Sequence, residues 1–182
     1  MTHVRYLLTQ NRPADYQLEL LRRGCCPYLA DASLSLRRES VEVAVDTAGL
    51  FHLKTCLETG KPPETDFRLD RGRIREVLFW LRRLTEAVDA LEEYLIFEED
   101  VSLDLPDLYF DGREGRPRLL LKPSGRPLLE SLCRLCLDIH CLCPESNADL
   151  VERRLVQRNA EQLLDRRALL AFLSSWSLEV SP

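Results

Sequence analysis

Apolar and polar residues alternate with a helical period through the middle of the chain, between Arg71 and Leu95. Large aliphatic residues recur there at every third or fourth position: Ile74, Val77, Leu78, Leu81, Leu84, Val88, Leu91 and Leu95. The charged residues of this stretch lie mostly off that stripe, as in an amphipathic helix with one face in a core. We therefore predict that Arg71–Tyr94 is the central helix of the protein.

Downstream of this helix, the pattern is that of an extended hairpin. Residues 101–105 alternate between apolar and polar, and a short apolar run follows at 108–110. The turn at 112–115 contains two glycines and leads to a second apolar run at 119–121. Alternation around a glycine-containing turn favours two paired strands. We expect the segment Ile74–Lys122, helix and hairpin together, to organise the rest of the chain.

Shorter elements are predicted before the central helix. Val4–Leu8 is a candidate strand, and Asp15 is placed to cap a helix that ends at Gly24. The residues that this helix can turn inward are Tyr16, Leu18 and Leu21. Leu34–Val45 alternates about a polar turn and predicts a hairpin, and Leu50–Glu58 predicts a short helix.

Helices are predicted from the break at Pro123–Pro127 to the end of the chain. They cover Leu128–Cys143, Ala148–Asn159 with Asn147 as the cap, and Asp165–Trp176. Strands and one helix come first and helices around one hairpin follow, which is the order of an α+β fold.

The chain of 182 residues, 45% of them hydrophobic, is long enough for a single domain with its own core. We predict two lobes, a small sheet lobe at 1–46 and a mainly helical lobe at 47–182.

Charge and composition exclude several classes of function. The net charge is −5, and the 22 arginines and 3 lysines are scattered among 30 acids, so no basic surface for nucleic acid is predicted. No run approaches the ~18–20 apolar residues of a membrane span, and the N-terminus lacks the features of a signal peptide. We expect a cytoplasmic protein. The seven cysteines are an odd number and are predicted to be reduced.

The order of elements resembles that of a trimmed protein kinase. Residues 41–45 correspond to the strand before the hinge, and 50–58 correspond to the first helix of the large lobe. The stretch Asp100–Asp111 runs parallel to the kinase pattern H-R-D-L-x-x-x-N and the extended segment after it. Leu119–Gly125 runs parallel to the strand that ends in D-F-G. The resemblance implies a kinase-like two-lobed domain, with a reduced N-terminal sheet and a helical C-terminal lobe.

A second resemblance is closer. The chain is similar to a bacterial domain of unknown function that commonly lies N-terminal to forkhead-associated (FHA) domains. That family in turn resembles the cytosolic pseudokinase domain of a type VII secretion membrane subunit. The segments that carry the similarity are 16–21, 43–49 and 91–95.

The kinase resemblance implies a catalytically dead domain. Phosphoryl transfer needs a glycine-rich cover, a phosphate-binding lysine, a base and metal-binding Asp and Asn residues. No glycine precedes Gly24 and no lysine precedes Lys54. The positions of the base, the Asn and the metal-binding Asp align with Ser102, Asp107 and Pro123. We therefore assign no catalytic, cofactor-binding or metal-binding residue and predict that the protein is not an enzyme.

Acidic residues cluster near the predicted cleft. Asp100, Asp104 and Asp107 are expected to add negative charge there and to repel phosphates. The run Glu98–Asp100 follows a helix, where its charge opposes the helix dipole. We predict that this run is a solvated loop, with a docking patch for a basic partner segment as the alternative.

One face of the predicted helix 128–143 carries four potential metal ligands: Cys133, Cys136, His140 and Cys143. Ligands spread over three helical turns cannot all reach one zinc ion, so we predict that these thiols pack as small hydrophobic groups. Zinc binding is the alternative. Cys25 and Cys26 are predicted to have no redox role, and His3 and His52 to be incidental.

These observations predict a non-catalytic, pseudokinase-like module that binds protein in a bacterial signalling or secretion assembly. The resemblance implies an FHA-containing or membrane-associated assembly as the partner. Two alternatives stay open. One is a divergent nucleotide- or metal-binding enzyme that uses Asp107 and the cysteine cluster, and the other is a purely architectural helical domain.

Overall fold

Strands and helices alternate early in the chain and helices dominate later, in a computed structural model that describes residues 3–9, 13–36, 40–59, 74–112 and 115–179. The strands are β1 (His3–Leu8), β2 (Ala32–Leu36), β3 (Val41–Asp46), β4 (Leu50–His52), β5 (Tyr109–Asp111) and β6 (Pro117–Arg118). The helices are α1 (Asp15–Arg23), α2 (Leu53–Thr59), α3 (Ile74–Leu91), α4 (Leu128–Leu142), α5 (Ala148–Glu161) and α6 (Arg166–Glu179). The α+β prediction is confirmed.

The first sheet has the order β1-β3-β2, and both pairings are antiparallel. β3 is its central strand, and Val41, Val43 and Val45 are buried while the residues between them are partly exposed. This alternation matches a strand with one face on a core. The predicted strand at Val4–Leu8 and hairpin at Leu34–Val45 are confirmed, and the residues 37–39 of its turn lie outside the described ranges.

Helix α1 begins at Asp15, but its cap differs from the prediction. Ala14 is the N-cap residue, and its backbone N–H donates to the Gln17 side chain at 2.9 Å. Leu18 and Leu21 are buried, whereas Tyr16 is exposed. The helix ends at Gly24 as predicted, in a left-handed conformation (φ 61°) where an added Cβ would lie 3.1 Å from the Asp31 carboxylate.

The second sheet, β4-β5-β6, overturns part of one prediction. Leu50–His52 was expected to be helical but is strand β4, and the helix starts only at Leu53. Phe51 lies opposite Phe110 of β5, with the two rings stacked at 5.4 Å between centroids. Strand β4 is stabilised by backbone partners almost sixty residues away and by this aromatic contact. Together they outweigh the helical pattern of the local sequence.

The central helix α3 carries the predicted buried stripe, and Leu78, Leu81, Leu84, Val88 and Leu91 are fully buried. Its predicted residues 71–73 lie outside the described ranges. Leu95 was predicted to belong to the stripe but is exposed, because the α-helix ends at Leu91 and a 3₁₀ turn (Glu92–Tyr94) changes the period. Ile96 is buried in its place.

The predicted hairpin is shorter than expected. Only β5 and β6 pair as a hairpin, and the segment 101–105 is not a strand. The apolar run 119–121 instead joins distant segments, because Leu119 bridges to Leu29 and Leu120 bridges to Ser102. All three leucines of the run are buried in the core.

The three C-terminal helices are confirmed with shifted ends. Helix α5 begins at Ala148 with Asn147 at the N-cap position, as predicted. The Asn147 side chain makes no cap hydrogen bond, and the Ser146 hydroxyl accepts the Ala148 N–H at 3.2 Å. Asp165 caps α6 by accepting the Ala168 N–H at 2.7 Å. Helix α3 packs against α4, α5 and α6, and one continuous apolar cluster joins these helices to both sheets.

Within the described part of the chain, no helix combines the length and the hydrophobicity that a membrane crossing requires.

Candidate functional site

The segment from Ser102 to Asp107 lies against the run 119–122. The Ser102 backbone N–H donates to the Leu120 carbonyl at 3.2 Å. A 3₁₀ turn at Leu105–Asp107 then brings the chain back, with the Asp107 N–H donating to the Asp104 carbonyl at 2.8 Å. This geometry places the side chains of Ser102 and Asp107 next to the last residue of the run, Lys122.

These three side chains form what we call the Asp107 site. The Ser102 hydroxyl donates to Asp107 Oδ2 at 2.6 Å, and Lys122 Nζ donates to the same oxygen at 2.7 Å. Asp107 is buried, and 43% of the Lys122 side chain is exposed. A buried carboxylate is stable when a cation and a hydrogen-bond donor satisfy it, and Asp107 has both.

Two tyrosines border the Asp107 site. The Tyr6 hydroxyl on β1 donates to the Leu121 carbonyl at 3.1 Å and so ties the first sheet to the site. Burial raises the pKa of Tyr6, and the nearby Asp107 charge raises it further. Burial and the same charge also raise the pKa of Tyr109. Both phenols therefore stay neutral and keep their protons at physiological pH.

The kinase resemblance aligned three functional positions with Ser102, Asp107 and Pro123. The first two are in contact through the Asp107 carboxylate, and Pro123 follows Lys122 directly. The next two residues are held to the turn at 98–100, since the N–H groups of Ser124 and Gly125 both donate to the Glu99 carbonyl, at 2.8 and 3.2 Å. The three positions thus offer one hydroxyl, one carboxylate engaged in an internal ion pair, and one ring that carries no ligand atom.

Asp100, Asp104 and Asp107 are predicted to repel phosphates, but their surroundings reduce the negative charge that they add. Asp104 Oδ1 accepts from Arg126 Nη2 at 2.5 Å, and Asp107 is paired with Lys122. Asp100 accepts the Phe97 N–H at 2.9 Å within its own turn. Two of the three negative charges are therefore offset by cations that the sequence pattern did not pair with them.

The run Glu98–Asp100 is not a solvated loop, since Glu99 alone of its three residues is exposed. Glu98 Oε1 accepts the N–H of Leu128, the first residue of α4, at 3.0 Å. Its other oxygen pairs with Arg166 of α6 at 3.2 Å. Glu98 thus caps one helix and anchors another, which corrects the solvated-loop prediction.

Cys133 and Cys136 of α4 and Cys143, which follows the helix, do not form a shared ligand set. Cys136 and Cys143 are buried and Cys133 is partly exposed, and all are free thiols. Burial raises the pKa of Cys133 to about 11 and also raises that of Cys136, so the thiolate form is disfavoured. Among the described residues no group of three or more His, Cys, Asp or Glu could hold a metal ion. The metal-free state stays a prediction.

His52 is predicted from the sequence to be incidental, but its ring makes several contacts in the structure. Its Nε2 lies 2.9 Å from the Pro106 carbonyl and its Nδ1 lies 3.0 Å from the Thr55 hydroxyl. The ring also stacks on Tyr109, with 4.9 Å between the centroids. His52 therefore links the end of β4 to the turn that carries Asp107.

Sequence reasoning missed the groups that complete these contacts, chiefly Lys122, Tyr6, Gln17 and Arg166. Tyr6 and its acceptor are 115 residues apart, and Arg166 and Glu98 are 68 apart. No local pattern connects such positions. The one available signal was Lys122, a rare lysine directly before the position aligned with the metal-binding Asp.

Comparison with known proteins adds one fold relationship. A crystal structure of the cytoplasmic fragment of ESSB from Staphylococcus aureus matches 97% of this chain and 99% of that fragment, at 18% identity and a TM-score of 0.50. At this identity the likeness shows the fold alone. No family model matches the sequence, and a search of curated proteins finds no match.

Proposed function

We propose that this domain is a non-catalytic, pseudokinase-like module that binds protein within a bacterial secretion or signalling assembly. One observation carries the non-catalytic part. The only carboxylate at the three positions aligned with kinase chemistry, Asp107, is held by Ser102 and Lys122 inside the fold. It is a structural ion pair in this proposal and not a metal ligand.

The requirements of phosphoryl transfer support the same reading. The transition state is stabilised by cations and backbone N–H groups around the phosphates, and the metal needs several oxygen ligands. Pro123 supplies no oxygen from its side chain, and no glycine precedes Gly24 to build a phosphate loop. Lys122 is the one cation at the site, and its ammonium group is committed to Asp107.

The assembly part rests on two likenesses. The sequence resembles a family that is in turn similar to the cytosolic domain of a type VII secretion membrane subunit, and the fold is similar to that of the ESSB cytoplasmic fragment, also from a type VII secretion component. The agreement between sequence and fold supports a secretion-assembly module. An FHA domain as the neighbour or partner is the finer part of the proposal, and only the sequence resemblance supports it.

Calorimetric titration with ATP and Mg²⁺ tests the non-catalytic proposal. We expect no binding with a dissociation constant at or below ~100 μM, which corresponds to about −5.5 kcal/mol. Binding above this affinity that is weakened by Asp107→Asn would contradict the proposal and favour the enzyme alternative. Arg126→Gln is the matched control, because it disrupts a neighbouring ion pair, with Asp104, and leaves the aligned positions intact.

A phosphate-release assay with the same variants completes the test. The proposed module releases no phosphate above the buffer background at any Mg²⁺ concentration. Release that Asp107→Asn abolishes and Arg126→Gln retains would establish an active site at Asp107.

A further inference from the structure

The geometry points to a docking surface at the end of the central helix, made by Tyr16, Leu95 and Phe97 and rimmed by Glu93 and Glu99. We call it the Leu95 surface. Its occupant is a segment of a partner protein with large apolar side chains flanked by Lys or Arg. This inference rests on the proposed protein-binding function and adds where the partner binds and what chemistry it carries.

Three large apolar side chains are exposed at this surface. The exposed fractions are 59% for Leu95, 43% for Phe97 and 44% for Tyr16. Ile96 between the first two is fully buried, so the backbone is anchored while its neighbours face outward. Large exposed apolar groups brought together from distant parts of a chain are typical of interaction sites.

Hydrogen bonds from α1 hold the surface in place. The Tyr16 hydroxyl donates to the Leu95 carbonyl at 2.5 Å. Gln17 Nε2 donates to the same carbonyl at 3.3 Å and to Asp100 Oδ2 at 2.8 Å. The exposed side chains are therefore presented by a fixed backbone, which lowers the entropic cost of binding a partner.

Leu95 also occupies a backbone conformation that favours glycine. Its φ is 55°, and the only other described non-glycine residue with positive φ is Asn147, a type that tolerates this region. The Ile96 N–H donates to the Leu91 carbonyl and the Leu95 N–H to the Glu92 carbonyl, which makes Leu95 the C′ residue of a Schellman motif. A leucine is less favourable there than glycine, and its exposed side chain recovers little by burial.

The negative charge of Glu93 and Glu99 at the rim favours a positively charged partner. Glu93 and Glu99 are exposed, and neither carboxylate forms an ion pair with a described residue, whereas their neighbours Glu92 and Glu98 bind Arg166. A second copy of the same surface would bring like charges together, and an anionic lipid surface would be repelled as well. A basic segment meets the rim with opposite charge.

Peptide display against the folded full chain tests the inference, with a random library of about twelve residues as the probe. The key variant is Leu95→Asn, because asparagine accepts the left-handed conformation and removes the apolar side chain. The matched control is Leu163→Asn, which removes a leucine that is 83% exposed outside the surface. We expect wild type and Leu163→Asn to enrich peptides with Lys or Arg beside large apolar residues, and Leu95→Asn to recover at least tenfold fewer.

The enriched peptide is then measured by fluorescence anisotropy. Glu93→Gln with Glu99→Gln is expected to weaken binding severalfold and to reduce its dependence on salt. Unfolding curves of Leu95→Asn at wild-type stability or above exclude loss of folding as the cause.

The outcomes separate this inference from the proposed function. Equal recovery by Leu95→Asn, or enrichment of acidic peptides, would overturn the Leu95 surface while leaving a protein-binding module with its site elsewhere. Recovery of no peptide above background by wild type would also overturn it. ATP and Mg²⁺ binding that depends on Asp107 would instead overturn the proposed function.

Discussion

The Asp107 site and the Leu95 surface lie on the same stretch of chain and use their polar and apolar groups in opposite ways. At the Asp107 site, the carboxylate, the hydroxyl and the ammonium group bind one another. At the Leu95 surface, three large apolar side chains and two glutamates are exposed on an anchored backbone. The groups of the Asp107 site are therefore satisfied within the fold, whereas those of the Leu95 surface are exposed to solvent.

In the proposed function, alignment with a catalytic position does not by itself make Asp107 a ligand for metal or nucleotide. Asp107 has the chemistry of a metal ligand, but its ion pair satisfies it internally, so binding an external cation would require that pair to break. The Leu95 surface contains no position aligned with kinase chemistry, yet its groups need no rearrangement before a partner can contact them. The following experiments test this contrast, from the largest expected effect to the smallest.

Both regions depend on helix α3, and Leu81→Ala should have the largest effect. Leu81 is fully buried, and removing such a side chain leaves a cavity, so we expect a loss of ~2–5 kcal/mol in the free energy of unfolding. Urea denaturation measures it. The control is Leu163→Ala at an exposed position, with a change within about 0.5 kcal/mol. Equal values for the two variants would contradict the position of α3 at the centre of the core.

The adjacent residues Glu98 and Glu99 allow a direct comparison between a side chain bound within the fold and one exposed to solvent. Glu98→Ala removes the side chain that caps α4 and binds Arg166, and we expect a loss of about 1–2 kcal/mol. Glu99→Ala removes an exposed carboxylate and should change the free energy of unfolding by less than about 0.5 kcal/mol. Denaturant titration of both variants gives the comparison. If Glu99→Ala cost as much as Glu98→Ala, the distinction between them would be wrong.

A double-mutant cycle measures the ion pair of the Asp107 site. The variants are Asp107→Asn, Lys122→Met and the combination of both. Because 43% of the Lys122 side chain is exposed, solvent screens the pair, and we expect a coupling energy of only about 0.5–1 kcal/mol. The same cycle on Asp104 and Arg126 serves as a reference. A coupling energy of zero would mean that Asp107 is not engaged inside the fold and is open to ligands.

The last expected effect is a dependence of stability on alkaline pH. Burial raises the pKa of Cys133 from 9.0 to about 11 in the folded protein, so between these values the unfolded chain releases the proton first. Stability is therefore intact below pH 9 and falls as the pH rises towards 11. Cys133→Ala should reduce this slope in urea denaturation, whereas Cys141→Ala at an exposed position should leave it unchanged. An unchanged slope in Cys133→Ala would refute burial as its source.

The sequence by itself determined the main elements of this protein. The stripe from Val77 to Leu91 predicted α3, alternation predicted β3 with its neighbours, and Gly24 marked the end of α1. Each of these signals is local, because a helix or strand with one buried face must repeat its apolar residues at a fixed period. The alignment of Ser102 and Asp107 with neighbouring functional positions also came from sequence, and the two side chains do meet.

Only the tertiary structure decided how those elements are used. Leu50–His52 became a strand because a hairpin far along the chain offered it backbone partners, and Leu95 left the buried stripe because α3 ends one turn earlier. The acids near the cleft proved to be paired because Lys122, Arg126 and Arg166 reach them across the fold. Hydrogen bonds and ion pairs between distant residues do not repeat at a fixed period along a sequence. The tertiary structure is therefore needed to distinguish the Asp107 site, whose groups bind one another, from the Leu95 surface, whose groups are exposed.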